Sequence, residues 1–334
     1  MVLAKRLKKG DGIGIFSPSS PATADAPERF RRAEAYVEGR GFRVVRGSLT
    51  GKKDFYRSGS IAERAAELNA LIRDPEVKCI MSTIGGSNSN SLLPYIDYRQ
   101  LAETPKIVVG YSDVTAVLLG VYAMTGLVTY YGPAMVASFG ELPPFNEETF
   151  DYFADMLVEP QRLPYVLPVP ETWTDEVIAW EEQTRSKEAR LNSMLTLHGG
   201  VAEGRLIGGN LNTLQGFWGS PYMPEIKEGD IFLIEDSLKD IGTVERSFAF
   251  LKANGVFDRI AGLLLGKHEV FKDGGTGRRP HDVLLEVMGE PDIPVLAEFD
   301  CCHTHPMLTL PIGGTVRLDA DRQRVALTAP WIGD

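Results

Sequence analysis

The sequence predicts an α/β fold built around a mostly parallel sheet. Short apolar stretches alternate with helix-like patterns through the first 131 residues, which is the rhythm of βαβ units. Strand and helix patterns alternate again after residue 205, and the final stretch, 307–328, alternates with turn residues as a β-ribbon does. Ligands of parallel sheets bind beyond the carboxyl ends of the strands, so we expect the functional residues there.

The first half supplies most of the parallel sheet. Strands are expected at 12–16, 42–45, 79–83, 107–109 and 127–131. Helices are expected at 27–39, opened by Pro27, at 61–73, and from Val114 onwards, where apolar residues recur at helical spacing.

The middle of the chain, 160–190, changes in character. Prolines precede an acidic stretch with two tryptophans, WTDEVIAWEEQTRSKEAR, which we interpret as a domain crossover followed by an exposed insertion. Beyond it, strands are expected at 230–234, 262–265 and 295–299, and helices at 244–253 and 282–288.

The composition is that of a globular protein with a substantial core, since 43% of the 334 residues are hydrophobic and 24% are charged. A formal net charge of −10 argues against a nucleic-acid partner, which would require a basic face. No stretch approaches the roughly 18 apolar residues of a membrane helix. The apolar run GIGIF near the N-terminus is too short for a secretory signal. We therefore expect a cytoplasmic protein without a membrane partner, and free thiols at Cys79, Cys301 and Cys302.

A nucleotide-cofactor loop is not supported. Gly10, Gly12 and Gly14 lie near the first strand, but the third glycine of G-x-G-x-x-G would fall on Ile15 or Ser17. The sequence also lacks a Walker pattern.

A serine occupies the tight corner between a predicted strand and a predicted helix, in VVGYSDVTAVL. This position would expose the Ser112 hydroxyl beyond the sheet edge, as a nucleophile requires. The amide of Asp113 would then lie at a helix N-terminus, where it can stabilise an oxyanion. The familiar elbow has a second glycine that this sequence lacks, so a serine that caps the helix is the alternative.

Two glycines follow the neighbouring strand, in STIGGSNSN. Gly85 and Gly86 allow the backbone to approach a ligand with its N–H groups exposed. The alternative is an ordinary turn at the end of a strand.

A nucleophilic serine needs a base, and the base needs an orienting carboxylate. His303 and His305 stand in the strongly patterned FDCCHTHPMLTLPIGG. With the adjacent cysteines they also suggest a metal site, although no third ligand stands at a suitable spacing. Glu235 ends the apolar IFLI and could reach the same crevice, or it could be a capping or solvated acid.

Seven segments in this order resemble the LD-carboxypeptidase family of serine peptidases, which includes the microcin C immunity proteins. The resemblance covers nearly the whole chain. Its segments are LKKGDGIGIFSPSSP, STIGGSNSNSLL, VVGYSDVTAVL, GRLIGGNLNTL, FLIEDS, GLLLGK and HTHPMLTLPIG.

The resemblance implies a Rossmann-like N-terminal domain with a parallel sheet and a mostly β C-terminal domain, with the active site between them. We place the domains at 1–165 and 201–334, with a crossover and insertion loop at 166–200. The family also implies a homodimer and the use of neither metal nor cofactor.

The same resemblance implies roles for single residues. Ser112 would be the nucleophile, His303 the general base, and Glu235 the residue that orients His303. The backbone of Asp113 and of the Gly85-Gly86 segment would form the oxyanion hole.

One branch of the family releases terminal D-alanine from a murein tetrapeptide, and the other cleaves the amide between an acidic aminoacyl group and a nucleotide-like moiety. IGGSNSNS, the tryptophan-bearing insertion and Lys239 resemble the second branch. Trp180 would then stack on a base, while Asn212 and Lys239 would hold the acidic aminoacyl group. Spacing alone favours a different interpretation of Trp180, as part of a buried helix face with Val177 and Ile178.

Two residues depart from the family pattern. Cys302 stands where a glycine usually precedes the catalytic histidine, and His305 stands where a small polar residue is more frequent. Both leave the predicted triad intact but affect its immediate surroundings. A non-catalytic ligand-binding protein on this scaffold, with Ser112 as a helix cap, is the alternative of a different class.

Overall fold

The computed structural model describes residues 1–159, 161–301 and 303–334. Its strands lie in two main sheets and one small ribbon. The strands are β1 (Gly12–Phe16), β2 (Arg43–Arg46), β3 (Val77–Ser82), β4 (Ile107–Gly110), β5 (Thr129–Tyr131), β6 (Tyr165–Val166), β7 (Thr172–Trp173), β8 (Arg190–Leu191), β9 (Leu195–His198), β10 (Val201–Asn210), β11 (Ile231–Glu235), β12 (Gly262–Gly266), β13 (Val295–Phe299), β14 (Leu310–Ile312), β15 (Thr315–Asp319) and β16 (Arg324–Leu327).

The helices cover the faces of these sheets. They are α1 (Ala22–Asp25), α2 (Pro27–Gly39), α3 (Ile61–Arg73), α4 (Tyr98–Glu103), α5 (Thr115–Thr125), α6 (Phe145–Leu157), α7 (Leu211–Gln215), α8 (Ile241–Ala253) and α9 (Pro280–Met288). Local sequence explains several of their ends. Pro27 is the first residue of α2, and Ser60 and Glu63 form a reciprocal capping box at the start of α3.

The first sheet has the strand order β14-β5-β4-β3-β1-β2. All its pairs are parallel except that of β14 with β5. Helices on both faces bury the inner strands, which explains why β1 and β4 are apolar throughout. The predicted parallel sheet is confirmed.

The second sheet has the order β6-β16-β15-β10-β11-β12-β13-β9. Its centre, β10 to β13, is parallel, and its edges are antiparallel. The mixed α/β architecture with a second, mostly β part is therefore as predicted. The proposed domain boundaries at 165 and 201 stay a prediction.

Strand β14 joins the two parts of the molecule. It lies in the predicted C-terminal ribbon but pairs with β5 of the first sheet, with Leu310 opposite Tyr131. The prediction of one ribbon over 307–328 is therefore wrong for β14. This pairing brings the carboxyl end of β5 close to the carboxyl ends of β10 and β11, where the candidate site lies.

Candidate active site

Ser112 occupies a strained turn between β4 and α5. Its φ angle is +61°, in the left-handed region that costs a non-glycine residue about 1–2 kcal/mol. The turn is also tightly packed, because a Cβ placed on Gly110 would lie 2.5 Å from the Ser82 hydroxyl oxygen. Strain of this kind at a serine indicates that the backbone is shaped to present its side chain.

The Ser112 hydroxyl forms the end of a hydrogen-bonded chain. Its Oγ lies 2.9 Å from Nε2 of His303, and Nδ1 of His303 lies 2.7 Å from Oε2 of Glu235. A carboxylate only accepts hydrogen bonds, so Nδ1 carries the proton and Nε2 is free to accept the serine proton. Among the described residues, a 3-10 turn begins at Ser112 and helix α5 begins at Thr115, and neither has a side-chain cap hydrogen bond. The helix-cap interpretation of Ser112 is therefore wrong.

Glu235 is the last residue of β11, and its side chain is fully buried. Oε1 accepts hydrogen bonds from the Tyr131 hydroxyl and, at 3.0 Å, from Nδ2 of Asn210. Burial by itself raises the pKa of Glu235, but the attraction of His303 and these hydrogen bonds outweigh it, so the pKa is lowered. The carboxylate is therefore charged and held in one orientation beneath the imidazole.

Tyr131, which sequence reasoning missed, connects the serine turn to this carboxylate. The backbone N–H of Ser112 donates to the Tyr131 hydroxyl at 3.0 Å, and that hydroxyl in turn donates to Glu235. Burial, followed by the adjacent Glu235 charge, raises the pKa of Tyr131 well above its usual value. The position of Tyr131 at the carboxyl end of a predicted strand was the signal that could have identified it.

The imidazole of His303 also packs against the ring of Tyr111. The ring centroids are 4.9 Å apart and the planes meet at 74°, an edge-to-face contact. The histidine side chain is 12% exposed, so one edge of the imidazole still reaches the cavity. These contacts fix the ring between Ser112 and Glu235.

The two glycines after β3 lie against the serine turn. A Cβ on Gly85 would lie 2.8 Å from the Ser112 Cβ and 3.0 Å from the Asp113 amide nitrogen. Gly86 has a φ of +147°, and a Cβ there would lie 2.2 Å from the Ser19 hydroxyl oxygen. Only glycine allows this close approach.

The Asp113 side chain has a structural role that the sequence did not indicate. Its carboxylate accepts the backbone N–H groups of Asn88 and Ser89 at 3.0 and 2.9 Å. Asp113 thereby fixes the loop that contains Gly85 and Gly86 against the nucleophile turn.

A cavity of about 310 Å³ opens above Ser112 and His303. It brings together seven of the nine residues predicted for the site, while Glu235 lies behind His303 and Asp113 lies beside Ser112. The seven are Gly85, Gly86, Ser112, Trp180, Asn212, Lys239 and His303.

Trp180 lines this cavity in a short 3-10 turn, Trp180–Glu182. Val177 is 72% exposed and no regular helix includes it, so the interpretation of Trp180 as part of a buried helix face is wrong. The guanidinium of Arg29 stacks on the indole at 4.7 Å from the ring centroid. The cation–π contact with Arg29 therefore helps to fix the position of the Trp180 indole.

The segment 171–192, which we call the wall segment, is less exposed than predicted. Thr174, Gln183 and Lys187 are buried, and the backbones of Thr174 and His305 exchange two hydrogen bonds of 2.8 and 3.0 Å. The prediction of an exposed insertion is wrong for these residues, because the segment packs onto the loop that contains His303.

Glu141 anchors the wall segment by contacts with its buried side chains, and no sequence pattern indicated this role of Glu141. This fully buried carboxylate lies 3.0 Å from Arg29 and 3.3 Å from Lys187, and Gln183 donates to it. Burial opposes its ionisation, but the surrounding positive charge stabilises the carboxylate and its pKa is lowered to about 2. His305 packs at 4.0 Å from Glu141, and burial lowers the pKa of His305 to about 3.

Asn212 lies in α7, directly after β10, and Lys239 lies in the segment after β11. The amide of Asn212 donates to Asp236 at 3.1 Å, and Nζ of Lys239 lies 3.7 Å from the same carboxylate. Both residues line the cavity, and Asp236 holds the backbone of Asn212.

Within residues 1–159, 161–301 and 303–334, no group of three or more His, Cys, Asp or Glu side chains is arranged to hold a metal ion. Cys79 is a free thiol, and both Cys79 and Cys301 are buried, whereas the predictions for Cys302 fall outside the described residues. In the same part of the chain, no helix combines the length and the apolar character needed to cross a bilayer.

Two family models match the chain. The LD-carboxypeptidase N-terminal domain matches residues 13–132, and the LD-carboxypeptidase C-terminal domain matches residues 203–318. The chain therefore belongs to the LD-carboxypeptidase family of serine peptidases, a class of hydrolases, and the resemblance seen in the seven motifs is confirmed.

Known relatives cover the whole chain. A Vibrio cholerae protein provisionally named a carboxypeptidase is 58% identical over 332 residues, with 99% of both chains covered. Microcin C7 self-immunity protein MccF of Escherichia coli is 52% identical, with 99% of this chain and 97% of that protein covered. A solved structure of MccF in complex with aspartyl sulfamoyl adenosine superposes with a TM-score of 0.98 over 100% of both chains. A murein tetrapeptide carboxypeptidase of Pseudomonas aeruginosa is more distant, at 24% identity.

Proposed function

We propose that this chain is a serine amidase that hydrolyses the amide between an acidic aminoacyl group and a nucleotide-like moiety. The observation that carries the proposal is the chain Ser112–His303–Glu235 at the floor of a cavity whose wall contains Trp180. The 52% identity to MccF, which has been solved with aspartyl sulfamoyl adenosine, supports the same substrate class.

In the proposed reaction, His303 takes the proton of Ser112 as the hydroxyl attacks the scissile carbonyl carbon. The negative charge that develops on the carbonyl oxygen is stabilised by the amides of Asp113 and of the Gly85-Gly86 segment. His303 then protonates the leaving nitrogen, and water hydrolyses the acyl-enzyme. Glu235 stabilises the imidazolium that forms during both steps.

Different residues of the cavity would recognise different parts of the substrate. Trp180 offers a flat face for a base, which is worth about 1–3 kcal/mol per stacked base. Lys239 and Asn212 line the cavity with polar side chains that would hold an acidic aminoacyl side chain through charge-assisted hydrogen bonds. We also propose, from the family resemblance, that the enzyme is a cytoplasmic homodimer.

The test is a paired hydrolysis assay on the purified protein. One substrate is aspartyl sulfamoyl adenosine and the other is a murein tetrapeptide that ends in D-alanine. Ser112→Ala is the blank, and we expect it to fold normally and to lose activity by at least about four orders of magnitude. Cleavage of the nucleotide substrate by the wild type alone supports the proposal, whereas release of D-alanine alone contradicts it.

A second measurement separates an enzyme from a binding protein. A phosphonate probe should label Ser112, because His303 activates its hydroxyl, and should not label Ser112→Ala. Tight binding of the nucleotide substrate without turnover or labelling would favour the non-catalytic alternative.

A further inference from the structure

Ser19 lies in the loop after β1, within the motif segment SPSSP, and the proposed reaction does not use it. The residue is 1% exposed, so its hydroxyl is removed from water and depends on partners within the protein. Those partners lie in the loop after β3, which also contains Gly85 and Gly86. A buried hydroxyl between these two loops can fix the shape of the second one.

The hydroxyl of Ser19 uses its full hydrogen-bonding capacity on the loop after β3. Its oxygen accepts the backbone N–H groups of Ser87 and Asn88 at 2.9 and 3.2 Å, and it donates to Oδ1 of Asn88 at 3.0 Å. A serine hydroxyl offers one donor and two acceptor sites, so all of its sites are occupied here. Ser19 therefore holds the two residues that directly follow Gly86.

The backbone next to Ser19 orients the peptide between the two glycines. The N–H of Ser20 donates to the carbonyl oxygen of Gly85 at 3.1 Å. In a trans peptide the carbonyl and the following N–H point in opposite directions, so the N–H of Gly86 is directed away from the Ser20 backbone. Gly86 also packs directly against Ser19, because a Cβ on Gly86 would lie 2.6 Å from the Ser19 Cβ.

Arg64 of α3 connects both loops to one helix. Its guanidinium, on a residue that is 1% exposed, donates to the carbonyl oxygen of Pro18 and to Oδ1 of Asn88, at 2.6 and 2.5 Å. The N–H of Asn88 also donates to the Asp113 carboxylate at 3.0 Å. The two loops and the nucleophile turn thus form one hydrogen-bonded unit, with Ser19 between the loops.

Two backbone N–H groups of this unit have no acceptor among the described residues. They are those of Gly86 and Asp113. Both groups are close to the nucleophile, because Asp113 follows Ser112 in the chain and Gly86 lines the same cavity as Ser112. Unpaired N–H groups held in place beside a nucleophile are suited to stabilise a developing oxyanion.

We propose that Ser19 is a positioning residue of the oxyanion hole. Its hydroxyl holds the residues after Gly86, so that the N–H of Gly86 stays aligned with that of Asp113 while the carbonyl is attacked. Ser20, not Ser19, lines the cavity, so Ser19 acts through the loop and not on the substrate. This role rests on the proposed function in requiring an acyl transfer at Ser112, but it applies to any carbonyl substrate.

The experiment compares Ser19→Ala with Ser58→Ala. Ser58 is equally buried and donates to the carbonyl oxygen of Ser17 at 2.7 Å, so its replacement disturbs the first loop and leaves the hydrogen bonds to the second. The rate at which a phosphonate probe labels Ser112 is measured, because the tetrahedral adduct places an oxygen in the oxyanion hole. Ser19→Ala should be labelled about 10- to 100-fold more slowly than the wild type. Ser58→Ala should stay within about twofold of the wild type, since it loses no contact with the loop after β3.

Steady-state kinetics on the substrate that the wild type hydrolyses gives a second readout. Ser19→Ala should lower kcat about 10- to 100-fold and leave KM within about twofold, because the oxyanion forms only in the transition state. Denaturant unfolding checks that the variant is folded. Asn88→Ala is a milder second variant, which removes the acceptor shared by Ser19 and Arg64. It should slow the labelling about 3- to 10-fold.

The possible outcomes distinguish a failure of this role from a failure of the proposed function. Slow labelling of Ser19→Ala supports the role whichever substrate the wild type hydrolyses, so release of D-alanine alone would contradict only the proposed function. Labelling at the wild-type rate, or a raised KM with an unchanged kcat, would overturn the role of Ser19. An equal loss in Ser58→Ala would also overturn it, because general disturbance of the first loop would then explain the effect. A wild type that the probe does not label would contradict both proposals.

Discussion

Two buried carboxylates, Glu235 and Glu141, serve the two sides of the cavity in different ways. Glu235 ends a regular strand and contacts His303, so the sheet itself determines its place. Glu141 lies outside the strands and gathers charged groups from separate segments, among them Arg29 of α2 and Lys187 of the wall segment. Both have lowered pKa values, but one orients a catalytic base and the other holds a loop.

The difference shows how this fold divides chemistry from recognition. Glu235 is the last residue of β11, and Ser112 lies in the turn after β4, so two strands that are hydrogen-bonded into their sheets place them. The wall segment contains only two short strands, β7 and β8, and the turn at Trp180 among its described residues. Side-chain charges, together with the two backbone hydrogen bonds between Thr174 and His305, therefore hold it in place, and substitutions on the two sides should have separable effects.

The largest effect on stability is expected from Glu141→Gln. It leaves Arg29 and Lys187 buried without a counter-charge, which should lower the free energy of unfolding by about 3–5 kcal/mol near neutral pH. Denaturant unfolding measures this loss. The KM for the nucleotide substrate should also rise, because the wall segment loses its anchor.

The effect of Glu141 should depend on pH in a defined direction. Its pKa is about 2 in the folded protein and 4.5 without perturbation, so its stabilising contribution is complete above about pH 4.5 and is lost towards about pH 2. The difference between wild type and Glu141→Gln should therefore shrink as the pH falls. Burial raises the pKa of Glu67, so Glu67→Gln is a control with the opposite slope. Parallel slopes for the two variants would contradict this account.

On the catalytic side, Tyr131→Phe should lower kcat about 10- to 100-fold with little change in KM. The change removes the hydrogen bond to Glu235 and leaves the Ser112 amide without its acceptor. Steady-state kinetics on the nucleotide substrate checks the split between kcat and KM.

Tyr130→Phe is a matched control for this variant. Tyr130 is equally buried and donates to the backbone carbonyl of Trp331 at 2.8 Å, away from the cavity. The Tyr130→Phe variant should have a lower free energy of unfolding and an unchanged kcat. An equal loss of kcat in both variants would indicate that the tyrosines act through general packing.

The smallest effect is expected from Trp180→Ala, which should raise KM for the nucleotide substrate about 5- to 100-fold and change kcat little. Trp173→Ala is the control, because Trp173 lies in the same segment but packs against Arg190 and Lys267. An unchanged KM in Trp180→Ala would remove the base-stacking role and leave Trp180 as a packing residue.

Much of the fold followed from local pattern. The helices at 27–39 and 61–73 and the strands at 12–16 and 295–299 have the predicted bounds, and other elements differ by a few residues. The position of β14 was not predictable in this way, because its apolar pattern does not specify which sheet it joins.

The residues of the candidate site also differ in how far local sequence pattern predicted their positions. Gly85 and Ser112 each follow a strand of the first sheet, so the rule for parallel sheets predicted that they would meet. Glu235 ends a strand of the second sheet, and its place beside them was implied by the family resemblance. Trp180 lies in a segment without regular structure, where spacing favoured a helix that does not form.

The sequence by itself determined the α/β architecture, the family and the residues at the strand ends, because these depend on periodicity and on short motifs. The tertiary structure alone decided that Tyr131 connects Ser112 to Glu235 and that Glu141 anchors the wall segment. These contacts join residues far apart in the chain. Their formation depends on how the two sheets pack together, which no local pattern records.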